Sequence, residues 1–279
     1  MGGRGSRGAQ GGLSRAFLSP SKPLPWRGRA TASARQGGLL NVLAVIPARY
    51  GSTRLPGKPL QLLAGRPLVL RVRDAALRAG FARVVVATDD PRVANAVRAA
   101  GGEAALTSPD HASGTDRVAE VARASAEPVI LNLQGDEPDA DPDLLRAVCD
   151  AALSGEGLVT AAAELSDAEA VRDPAVVKVV CGADGRALYF SRAPIPAAHP
   201  GAPDAPRHYG HLGLYAFRRE TLLRFVSLPP GRLERVEGLE QLRALENGIP
   251  IRVLRAPRFT RGIDTPADLA RAEARFRAS

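Results

Sequence analysis

A mostly parallel α/β sheet with helices on both faces, interrupted by a β-rich insertion, is the fold that three observations predict. From Val42, short runs rich in β-branched residues alternate with helix-period segments. Those runs are apolar throughout, the mark of strands covered on both faces rather than on one. After Ala170 the alternation gives way to strand-like pairs joined by turn residues.

Taken in order, "VLAVI" (42–46) predicts the first strand, "PLVLRVRDAALRAG" (67–80) a helix, "RVVVAT" (83–88) a strand and "PRVANAVRAAG" (91–101) a helix. A helix over "TDRVAEVARASA" (115–126), a strand over "PVILNL" (128–133) and a helix over "DPDLLRAVCDAAL" (141–153) follow. In the insertion, approximately 171–218, "AVVKVVCGADGRALYFSR" (175–192) reads as two strands joined at Asp184-Gly185. A Pro-rich loop (193–206) leads to the strand "HLGLYAF" (211–217). A helix from about 219, one helix over "LERVEGLEQLRALENG" ending at Gly248, the strand "IRVLRA" (251–256) and a last helix through "DTPADLARAEARF" complete the chain. At that last helix Thr265 caps, Pro266 takes the first helical position and Asp268 closes a capping box.

The chain has 279 residues, 45% apolar and 24% charged, an ordinary globular composition. Its charge of +9 is concentrated at one end. Seven of the 38 Lys and Arg fall in residues 1–40, which hold no Asp or Glu, so 31 basic against 29 acidic residues leave about +2 for 41–279. A nearly neutral body removes the main support for a nucleic-acid-binding protein, the rival class suggested by the basic pI.

The Gly-, Arg-, Ser- and Pro-rich segment 1–40 cannot bury enough apolar surface to offset the entropy of ordering, so a disordered leader precedes a domain over 41–279. A transit peptide, a tail and translated sequence upstream of a misassigned start compete as its origin. The last is favoured by a body rich in Ala, Arg and Gly, although Met1 is the only methionine. Cys149 and Cys181 stand alone in apolar segments without metal-ligand spacing, and no apolar run reaches membrane-spanning length. Two buried thiols, a cytoplasmic location and no membrane partner are expected.

Ligands of such sheets lie beyond the carboxyl ends of the strands. There "VIPARYGSTRLPGKPL" (45–60) resembles a phosphate loop but departs from its pattern: five residues separate Gly51 from Gly57, and Pro59 stands where a hydroxyl should follow Lys58. Pro56 and Pro59 lack the N–H groups of a backbone cradle, so Arg49, Arg54 and Lys58 would hold phosphate by side-chain charge. Asp136, after "LNLQG", and Asp264, in "RGIDTPADL", are carboxylates at strand-end loops and make a magnesium pair. Asp141 reads instead as the cap of the helix beginning at Pro142. In "SGTDRVAEV", Ser113 and Asp116 fit a capping box, while Gly114 would let a base approach the backbone. His111 reads as a surface loop residue. Cations facing acids argue for phosphoryl or nucleotidyl transfer, with a metal-dependent glycosyltransferase as the rival enzyme.

Together "IPARYGSTRLPGKPL", "VATDD", "SGTDRVAEV", "LNLQGDEP", "ALYFSRAPIP", "HLGLYAF", "LEQLR" and "GIDTPADL" resemble, in order from Val42 to Phe276, the 3-deoxy-manno-octulosonate (KDO) cytidylyltransferases. Sialic-acid cytidylyltransferases share a related opening loop and are the runner-up. The resemblance implies a Rossmann-like, usually homodimeric enzyme that makes CMP-KDO and pyrophosphate from CTP and an eight-carbon sugar acid with Mg2+. It implies triphosphate contacts from Arg49, Arg54 and Lys58, and metal ligation by Asp136 and Asp264. The cytosine and ribose region falls to Gln134 and to Ser113, Gly114 and Thr115. The sugar-acid pocket falls to Arg192, His211, Tyr215, Glu240 and Gln241. On spacing alone His211 and Tyr215 share one strand face and suit a core equally well, and Glu240 and Gln241 suit a solvated helix face. The loop "AAHPGAPDAP" is shorter than the family's, which bears on the choice of sugar acid; KDO, its 8-amino analogue and sialic acid all present the same reacting groups.

Overall fold

The computed structural model describes residues 41–278, together with Gly2. The disorder expected of the leader therefore lies outside the described residues. Along the chain β1 (Val42–Pro47) passes through a 3-10 turn (Lys58–Leu60) and the small hairpin β2 (Leu62–Leu63) and β3 (Arg66–Pro67) to α1 (Leu68–Arg78). The alternation continues through β4 (Arg83–Thr88), α2 (Pro91–Ala99), β5 (Glu103–Leu106), α3 (Gly114–Arg123), β6 (Val129–Leu133) and α4 (Pro142–Leu153). Next come β7 (Leu158–Glu164), α5 (Ala168–Arg172), β8 (Lys178–Cys181), β9 (Ala187–Ser191) and β10 (Tyr209–Arg218). The remaining elements are α6 (Arg219–Ser227), α7 (Arg232–Glu237), α8 (Gln241–Glu246), β11 (Arg252–Arg255) and α9 (Pro266–Ala278).

The main sheet has the order β11-β7-β10-β6-β1-β4-β5. Every neighbouring pair in it is parallel except the two made by β10, which runs antiparallel between β6 and β7. The result is the mixed, mostly parallel Rossmann-like sheet expected, with a β-rich insertion. The antiparallel arm of β8 and β9 hangs from β10, where Lys178 pairs with Gly210.

Burial explains the layers. β1 and β6 are buried at every position because both faces are covered. One face packs Ile46 and Leu131 against Val72 of α1, Val93 of α2 and Leu145 of α4. The other packs Val45 and Ile130 against Val118 of α3, Phe225 of α6 and Leu242 of α8. A third, smaller cluster joins Leu55 of the opening loop to Leu63 and Leu68 and to Ile263 and Ala272 at the C-terminal end. Its burial fixes the opening loop to the segment carrying Asp264.

Two expectations need correction. The single helix over 233–248 is two, because Gly238 turns into the left-handed region (φ 61°) and ends α7. Strands β5 and β7 were not foreseen. β7 is buried over six of its seven residues, but "LVTAAAE" has only Val159 and Thr160 as β-branched residues before three alanines, too short a run to announce a strand. In the turn after β6, Glu137 is only 6% exposed.

Candidate active site

The loops beyond the carboxyl ends of β1 and β6, the N-terminus of α3 and the segment before α9 enclose a cleft of about 280 Å³. Its walls include Arg49, Arg54, Lys58, Ser113, Gly114, Gln134, Asp136 and Asp264. Close approach of β1 and β6 makes the cleft floor possible: a Cβ on Gly135 would stand 2.7 Å from the Pro47 carbonyl oxygen. No side chain fits there.

The opening loop is held from below. The Tyr50 N–H donates to Asp89 Oδ1 at 3.2 Å, and the Arg92 guanidinium lies 3.6 Å from the Tyr50 ring centre. Asp89 is paired in turn with Arg117, a 3%-exposed cation that also donates to Thr107 Oγ1 and the Ser108 carbonyl. Gly57, with φ 63°, then brings Lys58 round to start the 3-10 turn.

Lys58 is the centre of the cleft. Its Nζ donates to Asp136 Oδ2 at 2.7 Å and to Asp264 Oδ1 at 2.9 Å. Arg54 reaches the other oxygen of Asp264 at 3.1 Å. Lys58 thus lies between the carboxylates rather than opposite them, while Arg54 pairs with Asp264 alone. Burial opposes the Lys58 ammonium, but Asp136 and then Asp264 outweigh it and hold its pKa above the usual lysine value. Asp264 is positioned by the capping box of α9: its N–H and that of Thr265 both donate to Asp268 Oδ2. Asp136 is fixed through its carbonyl, which accepts from the Ile263 N–H at 2.9 Å.

At the N-terminus of α3, the Ser113–Asp116 capping box is present as expected. Both hydroxyls of this turn have a further partner: Ser113 Oγ and Thr115 Oγ1 donate to the two oxygens of Glu240, at 2.7 and 2.6 Å. Burial raises the Glu240 pKa, and the two hydroxyl bonds work against that rise. Thr115 Oγ1 accepts from Asn132 Nδ2 at 3.2 Å, and Asn132 Oδ1 accepts from Gln134 Nε2 at 2.8 Å. His111 also lines the cleft and pairs with Glu120.

A second cavity, of about 310 Å³, shares Arg54, Gln134, Asp136 and Asp264 with the first and extends to Glu137, His211, Phe259 and Arg261. Burial holds the His211 imidazole neutral, with a pKa pushed down to about 3; its Nε2 lies 2.9 Å from Thr160 Oγ1. Burial, and then the charge of Asp136, push the Glu137 carboxyl upward.

Of the five residues carried over for the sugar acid, only His211 lines this cavity. The Arg192 guanidinium donates to the carbonyls of Glu237, Pro174 and Gly238 at 2.6, 2.9 and 3.2 Å. Tyr215, Glu240 and Gln241 surround a separate recess of about 10 Å³. The structure therefore brings Arg49, Arg54, Lys58, Ser113, Gly114, Gln134, Asp136 and Asp264 into one cleft, joins Thr115 to Glu240 behind it, and leaves Arg192, Tyr215 and Gln241 off both cavities. Sequence reasoning missed Arg117, Asn132 and Arg261. Only Asn132 had a signal: it is the single polar residue in the buried run "VILNL".

Among the described residues no three metal-ligating side chains cluster. Two carboxylates nonetheless converge on one cationic point, a donor set that suits a hard divalent ion completing its shell with phosphate oxygens and water. No helix among the described residues is long and apolar enough to cross a membrane.

Residues 43–252 match a protein-family model described as cytidylyltransferase. A 3-deoxy-manno-octulosonate cytidylyltransferase of Anaeromyxobacter dehalogenans (strain 2CP-C) is 54% identical over 237 residues, 84% of this chain and 97% of the relative. One from Syntrophobacter fumaroxidans (strain DSM 10017 / MPOB) is 48% identical over 236 residues, 82% of this chain and 94% of the relative. A solved structure of CMP:2-keto-3-deoxy-manno-octonic acid synthetase complexed with CTP matches with a TM-score of 0.80 at 43% identity, covering 85% of this chain and 98% of that one. A cytidylyltransferase from Leptospira borgpetersenii serovar Hardjo-bovis (strain JB197) shares the fold at 17% identity, with a TM-score of 0.58 over 86% of this chain and 88% of that one.

Proposed function

We propose that this chain, which belongs to the cytidylyltransferase family, joins CTP to 3-deoxy-manno-octulosonate, releasing pyrophosphate and CMP-KDO for lipopolysaccharide-type glycan synthesis. The observation that carries the reading is the Lys58–Asp136–Asp264 cluster at the boundary of two cavities. CTP takes the first cavity and the sugar acid the second, so their reacting atoms meet where the two share a wall.

There the anomeric hydroxyl attacks the α-phosphorus in line, losing its proton to water and forming the new P–O bond as the bond to the β-phosphate oxygen breaks. Arg49, Arg54 and Lys58 hold the triphosphate and offset the charge that grows on departing pyrophosphate. Gly114 lets the nucleotide approach the N-terminus of α3, whose partial positive charge favours it. Gln134, Ser113 and Gly114 line the side of the cleft that faces the nucleoside, while the Thr115 hydroxyl is turned away to Glu240. When magnesium is bound, Asp136 and Asp264 are its protein ligands, and it supplies charge neutralisation and a lowered pKa for the attacking hydroxyl. Neutral His211 in the second cavity offers a hydrogen bond to the sugar acid without adding charge. A homodimer working in the cytoplasm, where CTP is made, completes the reading.

Pyrophosphate release tests it. KDO, its 8-amino analogue and sialic acid are each supplied with CTP and magnesium. KDO is expected to give the highest kcat/KM, and EDTA to abolish turnover. Release with sialic acid alone would move the assignment to the sister enzymes. No release with any acid would defeat it.

A further inference from the structure

Glu240 touches neither large cavity, yet it ends a chain of four hydrogen-bonding side chains that reaches both. A carboxylate only accepts. Because both Glu240 oxygens receive hydroxyl bonds, Thr115 spends its single proton on Glu240 at 2.6 Å and can only accept from its other neighbour. Asn132 must then turn its NH2 toward Thr115, which leaves its Oδ1 for Gln134. Gln134 answers with its own NH2, and its carbonyl oxygen accepts no hydrogen bond among the described residues. That Oε1 lies 3.4 Å from where a Cβ on Gly114 would stand, at the lip of the first cavity, and Gln134 lines both cavities. Thr115 and Asn132 are 2% and 0% exposed, so water cannot exchange the direction of these bonds.

We propose that Glu240 is a positioning residue that fixes the polarity of this chain, so that Gln134 Oε1 meets the substrates as an acceptor selecting an N–H or O–H donor. The inference rests on the function proposed above and gives Glu240 a different task from sugar-acid contact. Two donors have the required chemistry. One is the exocyclic amine of cytosine, which uracil replaces by an acceptor; the other is a hydroxyl of the sugar acid.

The test compares Thr115→Ser, Thr115→Val and Glu240→Gln with the parent, whose own pyrophosphate release from CTP and KDO tests the functional reading separately. One arm measures the CTP/UTP ratio of kcat/KM, the other the KM for KDO at saturating CTP. Thr115→Ser keeps the hydroxyl and is expected to retain parental values. Thr115→Val is expected to change one arm by about tenfold, the scale of one misdirected hydrogen bond. That arm identifies the donor. Glu240→Gln can donate to Thr115 and reverse the chain, so it is expected to change the same arm, which keeps the test open if Thr115→Val fails to fold. In the Gln134→Leu background Thr115→Val is expected to add nothing. Equal losses in the Ser and Val variants, additive losses with Gln134→Leu, or parental constants in both Thr115→Val and Glu240→Gln would each overturn the proposal.

Discussion

Lys58 holds two carboxylates that would otherwise repel each other, and the same two are the proposed magnesium ligands, so ammonium and metal compete for one place. Lys58→Ala is therefore expected to act in opposite directions on two measurements. Turnover falls by about a hundredfold or more, because a preorganised cation facing the leaving group is lost. Magnesium affinity without nucleotide rises, because the carboxylates lose their internal partner, and titration calorimetry reads this directly. An unchanged magnesium affinity would remove Asp136 and Asp264 as the metal pair. His211 gives a prediction of another kind. Its folded pKa of about 3 lies below the ordinary histidine value of about 6.5. Between those values the unfolded chain binds the proton and the folded chain does not, so stability falls as pH drops through the window. Urea midpoints at pH 7 and pH 4 are expected to separate less in His211→Asn than in the parent.

At the scale of elements, the position of the site depends on how closely strand ends can approach. Gly135→Ala sets a Cβ 2.7 Å from backbone oxygen of Pro47, which cannot move without opening β1 from β6. A loss of about 1–3 kcal/mol is expected, read as a lower thermal midpoint, together with reduced turnover. Gly114→Ala meets only side chains, at 3.3 Å and beyond, and is expected to cost less stability. The alternating strands and helices of the first half were legible because β-branched runs announce buried parallel strands. β7 was not, since three alanines follow its two β-branched residues, and neither was the break at Gly238, because a glycine inside a helical period does not reveal its φ. Among the cleft residues, Arg49 and Asp136 were legible because each follows a strand end closely, whereas Lys58 and Asp264 lie much further along their loops and were found by their motifs. Arg192 and Glu240 were not legible. Their partners, Glu237 and Pro174 for one, Ser113 and Thr115 for the other, come together only through the tertiary fold.

For the whole molecule the question is whether the strong positive charge belongs to the function. The family model spans 43–252, so the basic segment 1–40 lies outside it. Seven of the 38 basic residues sit in it without an acid, and the body keeps 31 against 29. A body near +2 has no field to gather a polyanion, and two cations of its cleft, Arg54 and Lys58, are already engaged by Asp136 and Asp264. Deleting residues 1–40 is therefore expected to leave kcat/KM for CTP and sugar acid within about threefold of the parent, since an interaction confined to the leader offers nothing to the transition state. The same deletion is expected to abolish any retardation of duplex DNA that the full chain shows at low salt, because phosphate binding scales with the cations that displace counterions. A truncated chain that still bound DNA at physiological salt would relocate the polyanion site to the body. A truncated chain that bound none but lost most of its turnover would instead make the leader part of the catalytic assembly.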